Sequence, residues 1–277
     1  MSGRIGRTVT VPSPAVQEPT SLSDLLQILR RDPEVPLWAG GTWWMDRNEH
    51  TPRLIALHSV SELKRVVRSD VRVDVGAAVP IARLREVGVS FLPAPLLYTM
   101  ERLGPPPVRN LATLGGALSI PEGTLPIAVV LQLLDTRAEI RRQGHSRWVP
   151  INMIELIPGE VLTRIRIPLR TRTHWMVHNF GFPYPIGPSS LTVAATAIVE
   201  KNSLEELHYA FLIDGQHLSR LREAEAELLG RPLPLSERDL RTMLGALENH
   251  PRFGNDLDDL GRWRALSTLR QFLRTLG

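Results

Sequence analysis

The most regular feature of the chain is an alternation of apolar and charged residues in two segments. Val73 and Val75 alternate with Arg72 and Asp74, and residues 161–167 repeat the pattern with arginines between apolar positions. A period of two indicates a strand with one buried side and one side facing solvent. Short apolar runs between turn residues predict further strands at 37–39, 54–57, 138–141, 148–151, 191–199 and 206–213.

In several segments, apolar residues at helical spacing follow a capping or turn residue and predict a helix. The clearest helix carries Leu25, Leu26 and Leu29 behind Ser21, a residue type that caps helix starts. The same spacing predicts helices at 61–67, 81–87, 96–103, 125–134, 221–229, from 236 onward and at 263–276. Three prolines at 105–107 predict a break in regular structure. Strands mixed with short helices predict an α+β fold that ends in a small strand-then-helix module.

Composition excludes several classes of site. The 277 residues include no cysteine, which excludes disulfides, thiolate zinc sites, a cysteine nucleophile and an iron–sulfur cluster held by this chain. The net charge of +4 is mild and does not require a nucleic acid as partner. No apolar run is long enough to span a membrane. Residues 1–7 lack the apolar block of a secretory signal, so we expect a cytoplasmic protein.

Basic residues are concentrated in the first part of the chain. Residues 1–172 hold 22 basic and 16 acidic side chains, residues 173–200 hold no lysine or arginine, and residues 201–277 hold 11 basic and 12 acidic ones. This shift predicts a junction or a buried strand region at 173–200. The arginines of 137–172 form either a docking face for an acidic partner subunit or a solvated strand face, and the sequence favours neither.

Two Gly-Gly pairs are the strongest candidates for binding chemistry. One lies in the segment Ala39-Gly-Gly-Thr42 and the other in Thr113-Leu-Gly-Gly-Ala117. A glycine pair lets several backbone N–H groups converge on one point without obstruction by Cβ, which suits a pyrophosphate. Each pair taken alone is better explained as a tight turn, and the presence of two such pairs is the more specific signal. Neither pair has the spacing of a Walker or a Rossmann motif.

At these residues the chain resembles the FAD-binding medium subunits of the molybdenum hydroxylases. That family includes the flavin subunits of carbon monoxide dehydrogenase and bacterial xanthine dehydrogenase. The similarity runs in register over nearly the whole chain, and its most specific part is Val-Arg-Asn-Leu-Ala-Thr-Leu-Gly-Gly at 108–116. Further matching segments are Ala-Gly-Gly-Thr at 39–42, Leu-Ile-Ala-Leu at 54–57, Val-Gly-Ala at 75–77, Pro-Gly-Glu-Val-Leu at 158–162 and the C-terminal segment 222–230.

The resemblance implies a fold and a role. The fold would be a two-part FAD-binding domain of the PCMH type at 1–172, with parts at about 1–58 and 59–172. A C-terminal domain with a three-stranded antiparallel sheet and helices would follow at 173–277. The partners would be a molybdopterin-binding large subunit and a 2Fe-2S small subunit. Electrons would reach FAD from the iron–sulfur subunit and leave to an external acceptor, NAD or another one.

The resemblance also implies which residues hold FAD, with no catalytic residue and no metal ligand in this chain. The first group is Leu37, Trp38, Ala39, Gly40, Gly41, Thr42, Trp43 and Trp44, and the second is Arg109, Thr113, Leu114, Gly115, Gly116, Ala117, Thr124 and Leu156. Two of these have open alternatives. Arg109 contacts a phosphate or pairs with a carboxylate such as that of Glu101. If the Trp43–Trp44 pair continues a strand, only one of the two rings faces the ligand.

The chain departs from the family pattern on the ring side of the cofactor. Ala117 stands where the family has asparagine, Thr124 stands where it has aspartate, and the loop before Leu156 is several residues shorter. The backbone-built pyrophosphate side is kept. FAD is therefore expected to bind with altered ring contacts, and the alternative is a structural or assembly subunit of the same complex that has lost or weakened FAD binding.

Overall fold

The computed structural model of the protein describes residues 15–45, 52–88, 90–120, 125–181, 190–218, 222–250, 253 and 257–277. The strands are β1 (Ala15–Gln17), β2 (Leu37–Trp38), β3 (Arg53–Ala56), β4 (Val66–Arg68), β5 (Arg72–Gly76), β6 (Arg137–Arg142), β7 (His145–Pro150), β8 (Val161–Pro168), β9 (His174–Phe180), β10 (Leu191–Glu200), β11 (Ser203–Ile213) and β12 (Gln216–Leu218). The helices are α1 (Leu22–Arg31), α2 (Thr42–Met45), α3 (Ile81–Val87), α4 (Ala94–Glu101), α5 (Pro106–Leu111), α6 (Leu114–Leu118), α7 (Pro126–Leu133), α8 (Arg222–Leu228), α9 (Glu237–Glu248) and α10 (Asp259–Arg274). No helix within these ranges is both long enough and apolar enough to cross a bilayer.

The N-terminal part of the chain forms a small parallel sheet covered by one helix. The strand order is β1-β3-β2, with both pairings parallel. Helix α1 begins after Ser21, whose side chain accepts a hydrogen bond from the Asp24 N–H at 3.1 Å. Its buried leucines form a separate core cluster with Ile55 of β3 and with Leu63. Strand β2 of this sheet leads directly into the first glycine pair.

A five-stranded antiparallel sheet forms the middle of the chain, in the order β4-β5-β8-β6-β7. Val73, Val75, Ile165 and Ile167 point into a core shared with α3, α4 and α7, and all four are fully buried. The charged residues between them lie on the opposite side of the sheet. The predicted strands with period-two alternation are therefore confirmed.

The C-terminal part contains three long antiparallel strands, β9, β10 and β11, and the three-residue edge strand β12 beside β11. One side of this sheet packs on α8–α10 in a core cluster of its own. The other side, including Ala194 and Ala210, packs into the core of the middle sheet near α7. Because β10 is enclosed from both sides, the segment 173–200 contains the buried strand that its composition predicted.

One prediction of local structure is wrong. The segment 61–67 is not a single helix, because Ser61–Lys64 forms one 3-10 turn and Val66 then starts β4, paired with Val75. The β-branched pair Val66-Val67 favours a strand once a partner strand is present. The break predicted at the prolines lies at 102–105, between α4 and α5, and Pro106 begins the next helix. Proline suits the first helical position because its N–H group would have no helical partner there.

Candidate functional site

A cavity of about 290 Å³ lies where the first glycine segment, α2, α6 and the start of β8 meet. Its walls are mainly apolar, and Thr42, Thr113 and Ser119 contribute the hydroxyl groups. Eleven of the predicted cofactor residues line it: Leu37, Ala39, Gly40, Gly41, Thr42, Trp43, Trp44, Thr113, Gly116, Ala117 and Leu156. The fold therefore brings two groups of predicted residues, 69 or more positions apart in sequence, to one concave surface.

The first glycine segment is shaped by close packing and by one left-handed residue. Gly41 has φ of +69°, a conformation that glycine adopts without steric cost. A Cβ on Gly40 would lie 1.9 Å from the carbonyl oxygen of Leu111, at the end of α5. Gly40 thus lets the first glycine segment touch the chain that leads into the second one.

Three consecutive backbone amides of this segment have no acceptor among the described residues. Within the described ranges, the N–H groups of Gly40, Gly41 and Thr42 donate no hydrogen bond. All three residues line the cavity, and Gly41 is buried. Buried backbone donors are normally paired, so such a group of amides favours an external acceptor. An anion with several oxygens, such as a pyrophosphate, meets that need.

The second glycine pair differs, because its amides bond within the protein. Thr113 is the N-cap of α6, and its hydroxyl oxygen accepts from the Gly116 N–H at 3.0 Å. The Leu114 and Gly115 N–H groups donate to the carbonyl oxygens of Val79 and Ala77, at 3.1 and 2.8 Å. A Cβ on Gly115 would lie 2.5 Å from the Ala77 Cβ. The second glycine pair thus packs α6 directly on the backbone of Ala77, just after β5. Gly116 and Ala117 form part of the cavity wall.

The tryptophan pair lies on a helix, so the strand alternation predicted for it is wrong. Trp43 and Trp44 belong to α2, and both line the cavity. Their ring centroids are 5.1 Å apart with an interplanar angle of 87°. In this edge-to-face arrangement, both side chains form cavity wall.

Several predicted residues lie elsewhere. Trp38 packs its indole under the first glycine pair, since a Cβ on Gly41 would lie 2.2 Å from that ring. Arg109 donates to the backbone carbonyl oxygens of Glu101, at 3.1 Å, and Gly104 at the end of α4. It therefore caps a helix and does not pair with the Glu101 carboxylate. Leu114 and Gly115 are not among the lining residues, and Thr124 lies outside the described residues.

Sequence reasoning missed the remaining residues of the cavity wall, which are apolar except for Ser119. The missed residues are Leu57, Ala77, Leu103, Val108, Ala112, Ser119, Ile120, Leu125, Val161 and Leu162. Most lie in segments that were predicted to be buried strands or helices. Nothing in an apolar run distinguishes a residue facing a core from one facing a cavity, so periodicity could not have identified them.

A polar cluster at the C-terminal sheet was also missed. Asp135, Glu206 and His208 place candidate ligand atoms within 4.8 Å of one another. Arg172, only 3% exposed at its side chain, lies 3.0 Å from the Asp135 carboxylate and 2.7 Å from that of Glu206. A guanidinium thus provides the positive charge between the two acids, and the cluster ties the end of α7 to β11.

Ionisable groups with shifted pKa values lie away from the cavity. Burial works to raise the pKa of the Asp74 carboxyl, but the hydrogen bonds and charge of Arg166 hold it below its ordinary value. Burial likewise works to raise the pKa of the Glu160 carboxyl, and Arg147 holds that pKa below its ordinary value. Among the described residues, no group with a shifted pKa lines the cavity. The cavity wall described here is built to bind and to exclude water, not to transfer protons.

Comparisons with known proteins agree on one family. Residues 11–170 match the family described as FAD binding domain in molybdopterin dehydrogenase. The chain is 26% identical over 233 residues to the xanthine dehydrogenase FAD-binding subunit of Escherichia coli O157:H7, covering 78% of this chain and 79% of that subunit.

Solved structures show the same fold. A chain of quinoline 2-oxidoreductase from Pseudomonas putida 86 superposes with a TM-score of 0.76 at 23% identity, covering 96% of both chains. A chain of carbon monoxide dehydrogenase from Hydrogenophaga pseudoflava gives a TM-score of 0.76 at 19% identity, covering 95% of this chain and 96% of that one. The predicted α+β architecture is therefore confirmed.

Proposed function

The chain belongs to the family of FAD-binding domains in molybdopterin dehydrogenases, and from this premise we propose that it is the flavoprotein electron-transfer subunit of a multisubunit molybdenum-type oxidoreductase. FAD would bind in the cavity between the two glycine segments. The observation that carries this assignment is the run of three unpaired amides at Gly40–Thr42 in the wall of a largely apolar cavity.

The residues present fit FAD. Gly40 and Gly41 let this segment pack directly on the Leu111 backbone and the Trp38 indole, and the three N–H groups would donate to the pyrophosphate oxygens. Amide donors of this kind, converging on one point, favour negative charge. The hydroxyls of Thr42, Thr113 and Ser119 would be further donors or acceptors toward the ribityl chain and ribose.

The remaining wall would orient the cofactor and keep water out. Trp43 and Trp44 offer aromatic surface beside the amides, and Leu156, Ile120 and Ala117 offer aliphatic surface. When bound, FAD supplies the redox chemistry, and the protein holds its ring at a fixed place and potential. Replacement of the family asparagine by Ala117 and the short loop before Leu156 would leave fewer polar contacts to the ring.

The electron route is the one that the family resemblance implies. Electrons would come from a 2Fe-2S subunit and would leave to NAD or another acceptor, and without cysteine the chain could not hold such a cluster itself. A molybdopterin-binding large subunit would carry out substrate oxidation. The boundaries of the domains at 58 and 172, and a cytoplasmic location, remain predictions from the sequence.

The assignment is tested by titrating the purified, flavin-free chain with FAD, FMN and ADP while recording flavin absorbance and protein fluorescence. We expect equimolar binding of FAD, competition by ADP, which carries the pyrophosphate, and weak binding of FMN, which does not. A chain that retains no flavin at saturating FAD would contradict the proposal and would favour the structural or assembly subunit. Electron transfer is tested separately, by the rate at which reduced iron–sulfur subunit bleaches the flavin of the reconstituted complex.

A further inference from the structure

The outer side of the five-stranded sheet carries an ordered array of charged residues. One row across the strands places Asp74 of β5 next to Arg166 of β8, which lies next to Arg137 of β6. A second row places Arg164 of β8 next to Glu139 of β6. We call the array the arginine face and define it as Val67, Arg72, Asp74, Arg137, Glu139, Trp148, Arg164 and Arg166.

The two acids of the arginine face are held by its arginines. Arg166 donates two hydrogen bonds to the Asp74 carboxylate, at 2.8 and 2.9 Å, and its guanidinium lies 4.1 Å from the centre of the Trp148 ring. Arg164 lies 3.6 Å from Glu139 and 3.8 Å from Asp74. Both carboxylates are largely covered, with side-chain exposures of 15% and 10%.

The guanidinium groups of Arg72, Arg164 and Arg166 therefore share two carboxylates. Arg137 donates to the Trp148 carbonyl oxygen at 3.1 Å, so the arginine face carries an excess of positive charge. The side chains of Arg72 and Arg164 are 48% and 45% exposed. Val67, the cross-strand neighbour of Asp74, is 61% exposed. Arginine and tryptophan beside exposed apolar surface form the composition that protein interfaces favour.

The array also suits a protein partner better than a nucleic acid. Arg166 is held in place by two hydrogen bonds to Asp74 and by the Trp148 ring, so its side chain loses little entropy when a partner binds. Acids placed between the arginines would repel a regular row of phosphates, which requires an uninterrupted basic surface. A protein surface with a few carboxylates can match an alternating pattern.

We propose that the arginine face is the docking surface for a partner subunit that presents an acidic patch with some apolar area. The inference rests on the proposed function, since it supposes that the chain works within a multisubunit complex. The face lies on the side of the sheet opposite the α3, α4 and α7 core, and none of its residues lines the cavity. Changes to it can therefore be made without altering the wall of the proposed FAD site.

The test measures binding of the FAD-loaded chain to the co-expressed molybdopterin- and iron–sulfur-binding subunits by biolayer interferometry. The variant Arg72→Glu/Arg164→Glu reverses the two exposed charges, and we expect its affinity to fall at least about tenfold, with a weaker salt dependence. Val67→Glu adds one negative charge without removing an ion pair, and we expect a smaller loss in the same direction. The control Arg83→Glu/Arg241→Glu makes the same net change at exposed arginines of α3 and α9 and is expected to bind as the unmodified chain does.

Wild-type affinity in both arginine-face variants, with the FAD content unchanged, would overturn the inference. So would a loss of affinity in the control as large as in the arginine-face variants, because bulk charge would then be the cause. Salt-sensitive binding of a labelled DNA duplex that is lost only in the arginine-face variants would also overturn it. FAD content is scored separately, so an assembled complex without flavin contradicts the proposed function and leaves the docking surface supported.

Discussion

Gly40→Ala places a methyl group against the backbone where the two glycine segments meet. The new Cβ would lie 1.9 Å from the Leu111 carbonyl oxygen and 2.6 Å from its carbonyl carbon, whereas ordinary contact begins at 3.4 Å. The obstacle is main chain, which cannot move aside as a flexible side chain can. The first glycine segment must therefore shift by about 1.5 Å away from α5, and the unpaired amides shift with it.

The size of the effect follows from overpacking and from lost hydrogen bonds. Forcing a methyl group into a well-packed site costs about 1–3 kcal/mol of unfolding free energy, which lowers the melting temperature by roughly 2–5 °C in a chain of this size. Misplacing one amide that donates to a charged phosphate costs a further 1.5–3 kcal/mol or so in binding. FAD affinity should therefore fall about ten- to hundredfold.

The assay pairs thermal unfolding of the flavin-free chain with FAD titration of the same preparation. Gly245→Ala is the matched control, because Gly245 lies inside α9 and a Cβ there meets nothing within 4 Å. Alanine in a helix interior is favoured over glycine by about 1 kcal/mol, so the control should be as stable as the wild type or more so and bind FAD normally. If Gly40→Ala melts and binds FAD like the control, the close approach of the two segments does not form the site.

Three further predictions concern single contacts. Thr113→Val removes the oxygen that caps α6 and leaves the Gly116 N–H unpaired. We expect a loss of about 0.5–2 kcal/mol in unfolding free energy, measured by chemical denaturation. An unchanged denaturation midpoint would contradict the capping role. Asp74→Asn should be less stable than the wild type at neutral pH. This difference in unfolding free energy should shrink as the pH falls below the ordinary carboxyl pKa of 3.8 and through the lowered pKa of Asp74. A difference that does not vary with pH would refute the ion pair. Arg172→Met leaves the Glu206 carboxylate without its buried partner, and we expect a loss of about 3 kcal/mol in unfolding free energy. The exposed Arg170 also donates to this carboxylate, and wild-type stability would show that Arg170 alone satisfies it.

The strands of the middle and C-terminal sheets were predictable because burial imposes a simple pattern on them. A residue such as Val75 must face the core if Asp74 is to face solvent, and that alternation is visible in the sequence. Strand β10 carries no charged residue before Glu200 and is mostly apolar, with Thr192 and Thr196 as its polar residues, since both of its sides are covered. The register that places Asp74 opposite Arg166, by contrast, joins residues 92 positions apart in sequence and has no local signal.

The candidate site was predictable in its glycines and less so in its details. Both glycine segments contribute to the wall of one cavity, but the sequence could not show that the amides after Thr113 are used internally while, among the described residues, those of Gly40–Thr42 are not. That difference arises from where β5 and Val79 pass α6, which is a tertiary effect. For the same reason, Trp43 and Trp44 were expected on a strand although the chain turns into α2 after Gly41. Periods of two and of 3.6 residues cannot be distinguished over four residues.

The most direct test of the account is a crystal structure of the chain with FAD bound. We predict pyrophosphate oxygens at hydrogen-bond distance, about 2.7–3.2 Å, from the amide nitrogens of Gly40, Gly41 and Thr42, with the cofactor passing between α2 and α6. Clear density for FAD at another place on the chain, or a cavity that stays empty at saturating FAD, would contradict the central claim.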